Sequence, residues 1–287
     1  MTVDLSITIV NYNTRDLLEQ CLNSIITGTA GITYEIIVVD NASTDKSIEM
    51  MKTKYPQVKI ITNNTNLFFT KAHNQALKIS NGRYLMILNS DTFILDNAFQ
   101  KLVDFMDKHS KAGACGPKIF NAGMTLQHSS DRMPTFLYGL FDVLFINTLF
   151  PNNPIRKHRI HADWDRNSLQ QVDSVAGCCV LVRKEVTEKV GLLDEGFLIY
   201  WEEIDWCTRI VQSGWKIYYI PESQIVHYWQ VAMDKHGRGK KERIFNNSFL
   251  YYYRKHYGLI AWIILAAILR LWKVPVLKVA RLLKGNR

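Results

Sequence analysis

Tyr84-Leu85-Met86-Ile87-Leu88-Asn89-Ser90-Asp91 is an apolar run that stops on short polar and acidic side chains. A buried strand of this kind delivers its last residues to the carboxyl edge of a sheet, where open α/β sheets bind ligands. Aspartate is disfavoured in strands, so Asp91 needs a reason to stand there. One reason is local: Asp91 caps a helix beginning near Leu95, with Asn89 and Ser90 forming the turn. The other is a divalent cation that bridges the carboxylate to a diphosphate, since hard cations select oxygen ligands. Other segments ask for the same cation and favour the second reason.

Outward from this strand, the first half of the chain alternates strand and helix. Residues 5–10 are strand-like, and 14–26 place Leu17, Leu18, Cys21, Leu22 and Ile25 at helical spacing. Residues 35–40 form a second apolar run ending on an acid, with Ser43 or Thr44 as the cap of the next helix. A short strand over 58–62, a helix over 70–80 closed by Asn81-Gly82, and a helix over 96–109 complete the rhythm. Such a βαβαβ pattern predicts a mostly parallel sheet with helices on both faces.

Residues 121–171 lose this rhythm. Gly123, Pro134, Pro151 and Pro154 are mixed with Phe136, Tyr138, Phe141 and Phe145 and the basic run Arg156-Lys157-His158-Arg159. We read an inserted, loop-rich region with some helix, which in an enzyme would be a natural place for acceptor selection, because loops on a rigid scaffold carry variable function. Strand character returns over 172–183 through Val175-Ala176-Gly177. A helix over 202–213 ends at Gly214, and two short strands, 215–220 and 224–227, flank the turn Pro221-Glu222-Ser223.

With 47% hydrophobic and 21% charged residues, the 287-residue chain can bury one large core, here 1–257, with 258–287 as a tail. Of the net charge of +9, +8 lies on Arg254, Lys255, Arg270, Lys273, Lys278, Arg281, Lys284 and Arg287, leaving the body almost neutral. That distribution argues against a nucleic-acid binder and for an anionic membrane surface. The uninterrupted apolar run 259–269 is too short to span a bilayer alone, since a span takes ~20 residues. Beyond it, Arg270, Lys273, Arg281 and Lys284 fall on one helical side, opposite Leu271, Trp272, Val279, Leu282 and Leu283, with Pro275 bending the path. This predicts an interfacial helix pair on the inner leaflet; the alternative is a terminal helix packed on the domain. The five cysteines are odd in number and lack Cys-x-x-Cys spacing, which suits reduced structural thiols in the cytosol. Met1-Thr2-Val3-Asp4 shows no basic leader region, so no signal peptide is expected.

Four predicted strands end in groups suited to a nucleotide-sugar and a metal. Asn11-Tyr12-Asn13 offers an aromatic face and amides to a base, and Asp40 a carboxylate to the imide N–H of uracil or thymine. Asp91 and a neutral His227 imidazole are metal ligands. Each has a structural alternative as a cap or a satisfied core residue, and their joint placement at strand ends favours the functional reading. Trp201-Glu202-Glu203-Ile204-Asp205-Trp206 sets three acids at a helix start, where the dipole favours them. The surrounding aromatic rings and like charges also raise carboxylate pKa values towards those of a general base.

Together these residues resemble the inverting, GT-A-fold glycosyltransferases of family 2, particularly bacterial rhamnosyltransferase-like members. The resemblance runs from Ser6 to about Gly258. It is carried by Ile9-Val10-Asn11-Tyr12-Asn13, Val38-Val39-Asp40-Asn41-Ala42-Ser43-Thr44-Asp45, Leu88-Asn89-Ser90-Asp91-Thr92 and Gly191-Leu192-Leu193-Asp194-Glu195. It continues through Glu202-Glu203-Ile204-Asp205-Trp206-Cys207, Val226-His227 and Arg254-Lys255-His256-Tyr257-Gly258. The resemblance implies a Rossmann-like GT-A core in which Asp40 reads a pyrimidine base, Asp91 and His227 hold Mn or Mg on the diphosphate, and Glu203 is the base. It further implies a nucleotide-sugar site of Asn11, Tyr12, Asn13, Asp40, Asn74, Asn89 and Asp91, with Gly177, Trp201, Glu202 and Asp205 on the acceptor side. The donor it implies is dTDP-rhamnose first and a UDP-hexose second. With the basic tail, the acceptor is a lipid-linked glycan at the inner membrane face.

Three positions depart from the family pattern: Asn89 opens the metal motif in place of an acid, Glu203 stands where Asp is usual, and Phe68 where a small residue is usual. A nucleotidyltransferase is a poorer match, because Asn11-Tyr12-Asn13-Thr14-Arg15 has no glycine-rich phosphate loop. A non-catalytic binding protein of the same fold is the remaining alternative. The run Lys235-His236-Gly237-Arg238-Gly239-Lys240-Lys241 reads as a cationic lid over the diphosphate, with a solvated basic loop as the alternative.

Overall fold

Alternation along the central strand sorts its side chains to two faces. Tyr84, Met86 and Leu88 pack with one set of helices, and Leu85 and Ile87 with another. The computed structural model describes residues 2–228 and 238–273. Strands β1 (Leu5–Asn11), β2 (Tyr34–Asp40), β3 (Lys59–Thr62) and β4 (Tyr84–Asn89) run parallel, linked by α1 (Arg15–Gly28), α2 (Ser47–Lys54) and α3 (Phe68–Lys78). The chain adds β5 (Thr92–Leu95), α4 (Ala98–Lys108) and β6 (Ala112–Phe120). The insertion forms β7 (Leu126–Gln127), β8 (Ser130–Asp131), α5 (Phe136–Val143), α6 (Ile146–Leu149) and α7 (Pro154–Arg159). Then follow β9 (Gln170–Val172), β10 (Ser174–Val175), β11 (Cys179–Arg183), α8 (Lys184–Val190), α9 (Glu202–Gln212), β12 (Lys216–His227) and α10 (Arg238–Ile268).

The main sheet has the order β3-β2-β1-β4-β11-β6-β12-β5. It is parallel through β4; β11 then enters antiparallel between β4 and β6, and β12 runs parallel to β6. Helices α1, α2 and α4 cover one face through Leu18, Leu22, Met51, Phe99 and Leu102. Leu77 of α3, Val186 of α8 and Trp206 and Ile210 of α9 cover the other. All five cysteines are free and buried.

Several local expectations change. The stretch 172–183 forms parts of three short strands, and the two strands expected around Pro221 are one. β12 passes through a register shift between Ile220 and Gln224, a bulge that accommodates the proline without ending the strand. Ser43 and Thr44 do not cap α2, which starts at Ser47. The Ser47 amide donates instead to Asp45 Oδ1 at 3.1 Å.

Gly258 interrupts α10 at φ 84° and ψ −178°, a conformation restricted essentially to glycine. Before it, Phe249, Leu250, Tyr252 and Tyr253 pack around Phe197 and Trp201. After it, Leu265, Ala266 and Leu269 face the same cluster, whereas Leu259, Ile260, Ile263 and Ile264 are exposed. By length and composition Gly239–Trp272 is long and apolar enough to cross a membrane, although the run 259–269 alone is not. Two cations counted with the basic tail serve the fold instead. Lys255 pairs with Asp194 at 2.6 Å and Asp205 at 2.7 Å, and Arg254 lies over the Trp262 ring. The expected second amphipathic segment, from residue 274 onward, lies outside the described residues, as do residues 235–237 of the expected lid.

Candidate active site

The turn after β4 carries Asp91 into β5, which pairs antiparallel with β12 so that Thr92 faces His227. That register puts Asp91 Oδ1 3.2 Å from His227 Nε2, both groups nearly buried. His227 Nδ1 donates to Gln127 Oε1 at 3.1 Å, which aims Nε2 at the carboxylate. Burial opposes charge on this ring, but Cys178 and Asp91 outweigh it and push its pKa up to about 10. Asn89 Nδ2 lies 3.2 Å from the same Nε2. With its pKa raised, the His227 ring carries a second proton where the sequence reading has it neutral. A divalent cation such as Mn or Mg would displace that proton, to be held by one Asp91 oxygen and one imidazole nitrogen. Among the described residues no cluster of three such ligands exists, so a cation here would complete its shell with substrate oxygens and water.

The cavity encloses about 760 Å³ and runs from Tyr12, Asn41 and Phe68 past Asp91 and His227 to Gly177, Glu202 and Glu203. Asp40 lies beneath this wall and is fully buried. Its Oδ1 accepts from Asn11 Nδ2 at 2.8 Å and its Oδ2 from the Ser43 amide at 2.9 Å. Asn13 Oδ1 accepts from the Thr44 amide at 2.7 Å. Asn11, Asn13 and Asp40 therefore shape the loop that presents Tyr12 and Asn41, and none of the three lines the cavity. Nor does Asn74, whose Nδ2 donates to the Leu193 carbonyl at 2.9 Å and ties α3 to the loop before α9. Phe68 lines the wall in the left-handed region at φ 61°, which explains why glycine suits this position.

Tyr200 and Trp201 both adopt left-handed conformations, at φ 68° and 71°, and turn the chain into α9. Glu202 and Glu203 emerge on the cavity side, each with a buried Oε2 that has no hydrogen-bond partner. Burial raises the Glu202 pKa well above its ordinary value, reinforced by the charge of Glu203. Burial also raises that of Glu203, against the pull of its own and the Ile204 amide and of Arg159. Gly177 makes room for the Glu203 side chain: a Cβ there would sit 3.2 Å from Glu203 Cβ and Cγ. Asp205 and Trp201 point away and anchor α9 to α10 rather than line the cavity.

A carboxyl with a raised folded pKa favours the protonated native state, so stability falls as pH rises from its ordinary value of 4.5 towards the folded value. Glu202→Gln is therefore expected to raise Tm at about pH 8 and to change it little at about pH 4. Thermal unfolding of both proteins at both pH values checks this; equal shifts would contradict it.

Gln127, His128 and Phe245 also shape this site without having been expected from the sequence, and Tyr200, one of the aromatic rings read around the acidic run, lines the cavity. Gln127 and His128 sit in the insertion, where no periodicity marks them. For Tyr200 the only signal was its place beside the acidic run.

The central sheet, with an acidic turn, a histidine and a carboxylate pair gathered around one cavity at its edge, has the GT-A fold, which solved structures share. GalNAc-T7, crystallised with UDP, GalNAc and Mn2+, superposes with a TM-score of 0.64 at 18% identity, over 88% of this chain and 48% of that one. TarS 1–349 of S. aureus superposes with a TM-score of 0.55 at 15% identity, over 88% of this chain and 74% of that one. The chain belongs to glycosyl transferase family 2, whose sequence model matches residues 6–191. The N-acetylglucosaminyl-diphospho-decaprenol L-rhamnosyltransferase of Mycobacterium tuberculosis is 25% identical over 243 residues, 79% of this chain and 77% of that protein.

Proposed function

We propose that this glycosyltransferase moves a sugar, rhamnose from dTDP-rhamnose first and a hexose from a UDP-hexose second, onto a hydroxyl of a lipid-linked glycan in cell-surface polysaccharide synthesis. The observation that carries this reading is the pairing, in one cavity, of the Asp91–His227 site with the buried, unpartnered Glu203 oxygen. The rhamnosyltransferase relative supports the choice of sugar and of a lipid-diphosphate acceptor.

Tyr12 and Asn41 bound the end of the cavity that would receive the nucleobase, and Asp91 and His227 are the residues that would hold a divalent cation. When bound, the cation supplies Lewis-acid stabilisation of the departing nucleoside diphosphate. Glu203 takes the proton of the acceptor hydroxyl as that oxygen attacks the anomeric carbon. The bond to the diphosphate breaks with its electron pair leaving on the diphosphate oxygen. One base and one displacement give inversion at the anomeric carbon. Gly177 keeps Glu203 free to reach the hydroxyl. Coupled assay of nucleoside diphosphate release, with proton NMR of the product's anomeric centre, tests the reaction and its stereochemistry.

The same reading places the protein on the cytoplasmic face of the membrane. The first half of α10 and Leu265, Ala266 and Leu269 at its far end pack in the core, which supports an interfacial role for the remaining apolar side chains. Leu259, Ile260, Ile263 and Ile264 instead form an exposed apolar stripe that suits a helix lying in the interface. Fully burying one such side chain contributes about 1.5–3 kcal/mol. Ile260→Asp with Ile263→Asp is expected to weaken binding to phosphatidylglycerol vesicles by about tenfold or more, with the fold intact. Unchanged flotation with vesicles would contradict the interfacial role.

A further inference from the structure

The insertion holds a second concavity, lined by residues other than those around Glu203. Arg132, Lys157, His158, His161, Trp164 and Gln170 are among its walls, around a volume of about 560 Å³. Arg132 is fixed in place, its Nη1 lying 2.7 Å from His158 Nδ1 and donating to the His158 carbonyl at 3.1 Å. Among the described residues neither Arg132 nor Lys157 has an ion-pair partner, although Asp163 stands in the wall. His161, held at φ 50°, keeps a buried Nε2 with no hydrogen-bond partner. Burial and the Arg132 charge hold the His161 pKa below its usual value, which leaves a neutral ring in a wall that also carries the held Arg132 and the exposed Lys157. The wall thus carries a guanidinium whose Nη2 has no hydrogen-bond partner among the described residues, an ammonium and an imidazole nitrogen without a partner, groups that suit phosphate oxygens.

Two connections tie this concavity to the reaction. The segment from Gln127 to Arg132 runs from one cavity to the other: Gln127 and His128 line the first and Arg132 the second. Between them Asp131 accepts from His128 Nε2 at 2.6 Å and pairs with the buried Arg159 at 3.0 Å, so the span is rigidly held. On its other side, α7 packs on α5, and α5 packs on α10, whose second half carries the exposed apolar stripe. We propose that the concavity binds the phosphate or diphosphate ester of a lipid at the membrane surface, so that the glycan of a lipid-linked acceptor extends from it towards Glu203. This rests on the function proposed above and adds the subsite that grips the acceptor's anionic linkage.

The test is isothermal titration of the full chain with inorganic diphosphate in EDTA, where the cation-dependent donor site is silent. A second arm is flotation with phosphatidylglycerol vesicles. Diphosphate binding is expected to weaken about fivefold or more in Lys157→Ala and in Arg132→Gln, and to stay within about twofold in Asp91→Asn. If diphosphate does not bind but Lys157→Ala weakens vesicle binding to the same degree, the site stands and its phosphate belongs to a bilayer lipid. If Lys157→Ala changes neither arm, or if diphosphate binding is lost in Asp91→Asn alone, the proposal is overturned. Lys157 is solvent-exposed, and circular dichroism of each variant separates lost binding from lost folding. No donor sugar enters either arm. A failure of this site and an absence of sugar transfer are thus distinct results.

Discussion

Glu203→Gln lowers the rate of sugar transfer by about 10²–10⁴-fold and leaves the donor KM nearly unchanged, the loss expected when a general base is removed. Glutamine keeps the length and polarity of the side chain but cannot accept the acceptor proton. The cation site is untouched, because Asp91 and His227 belong to the β4–β5 turn and β12. Folding is not the cause of such a loss either. Glu203 is held in the fold with a raised pKa and a buried oxygen that lacks a partner, so removing its charge relieves a cost at neutral pH. The variant is expected to melt at or above the wild-type temperature while being nearly inactive. Glu202 supplies the internal control. It lines the same cavity with its own unpartnered oxygen, and if it were the base, Glu202→Gln would carry the larger rate loss. Steady-state kinetics of the two variants decides between them, and transfer by Glu203→Gln within about tenfold of wild type would remove Glu203 from the mechanism.

The second large effect is structural. Asp205 is fully buried and accepts from Lys255 at 2.7 Å and His256 at 2.8 Å on one oxygen, and from Arg209 at 2.8 Å on the other. Burial alone would raise its pKa, but His256, Arg209 and Lys255 outweigh burial and hold it below the ordinary value of 3.8. The stability from this cluster is therefore present above that ordinary value and is lost as pH falls through the lower folded one. Asp205→Ala strands buried positive charge, a change that costs about 3–5 kcal/mol and lowers Tm by roughly 10 °C in a domain of this size. Arg209 keeps its bonds to the Val190 and Leu192 carbonyls and Lys255 keeps Asp194, which argues for the lower end of that range. Since these contacts fasten α10 to the helix that carries Glu203, activity should fall near the reduced Tm in parallel with unfolding. Differential scanning calorimetry across pH checks both the size and the sign, and a Tm within about 2 °C of wild type would show the cluster to be dispensable.

The parallel half of the fold was legible because β4 and the Ile36–Val39 part of β2 read as unbroken apolar runs, and β1 alternates Leu5, Ile7 and Ile9 with Ser6 and Thr8 before a turn. Asp91 and His227 were legible for the same reason: each ends a run whose strand character is plain. What the sequence hid is long-range pairing. Nothing local says that β5 lies against β12, yet that register alone brings Asp91 to His227. Asp40 shows the converse. Its place at the end of β2 was correctly read, but the Asn11 side chain and the Ser43 amide bind its two oxygens, and no spacing rule reveals which of two neighbouring polar residues faces outward. The insertion was opaque because its order comes from buried charge, Arg159 and Arg166 around Asp131 and His128, rather than from an apolar period. Lys255 was misassigned to the membrane-facing tail because its partners lie far away in the sequence, at Asp194 and Asp205.

The most direct test of the central claim is nucleoside diphosphate release from a panel of dTDP- and UDP-sugars, measured on the purified chain with and without Mn and a membrane lipid extract. The account predicts release from one donor, dTDP-rhamnose first, that requires the cation and is stimulated by lipid. Release from no donor, or release indifferent to both cation and lipid, would contradict it.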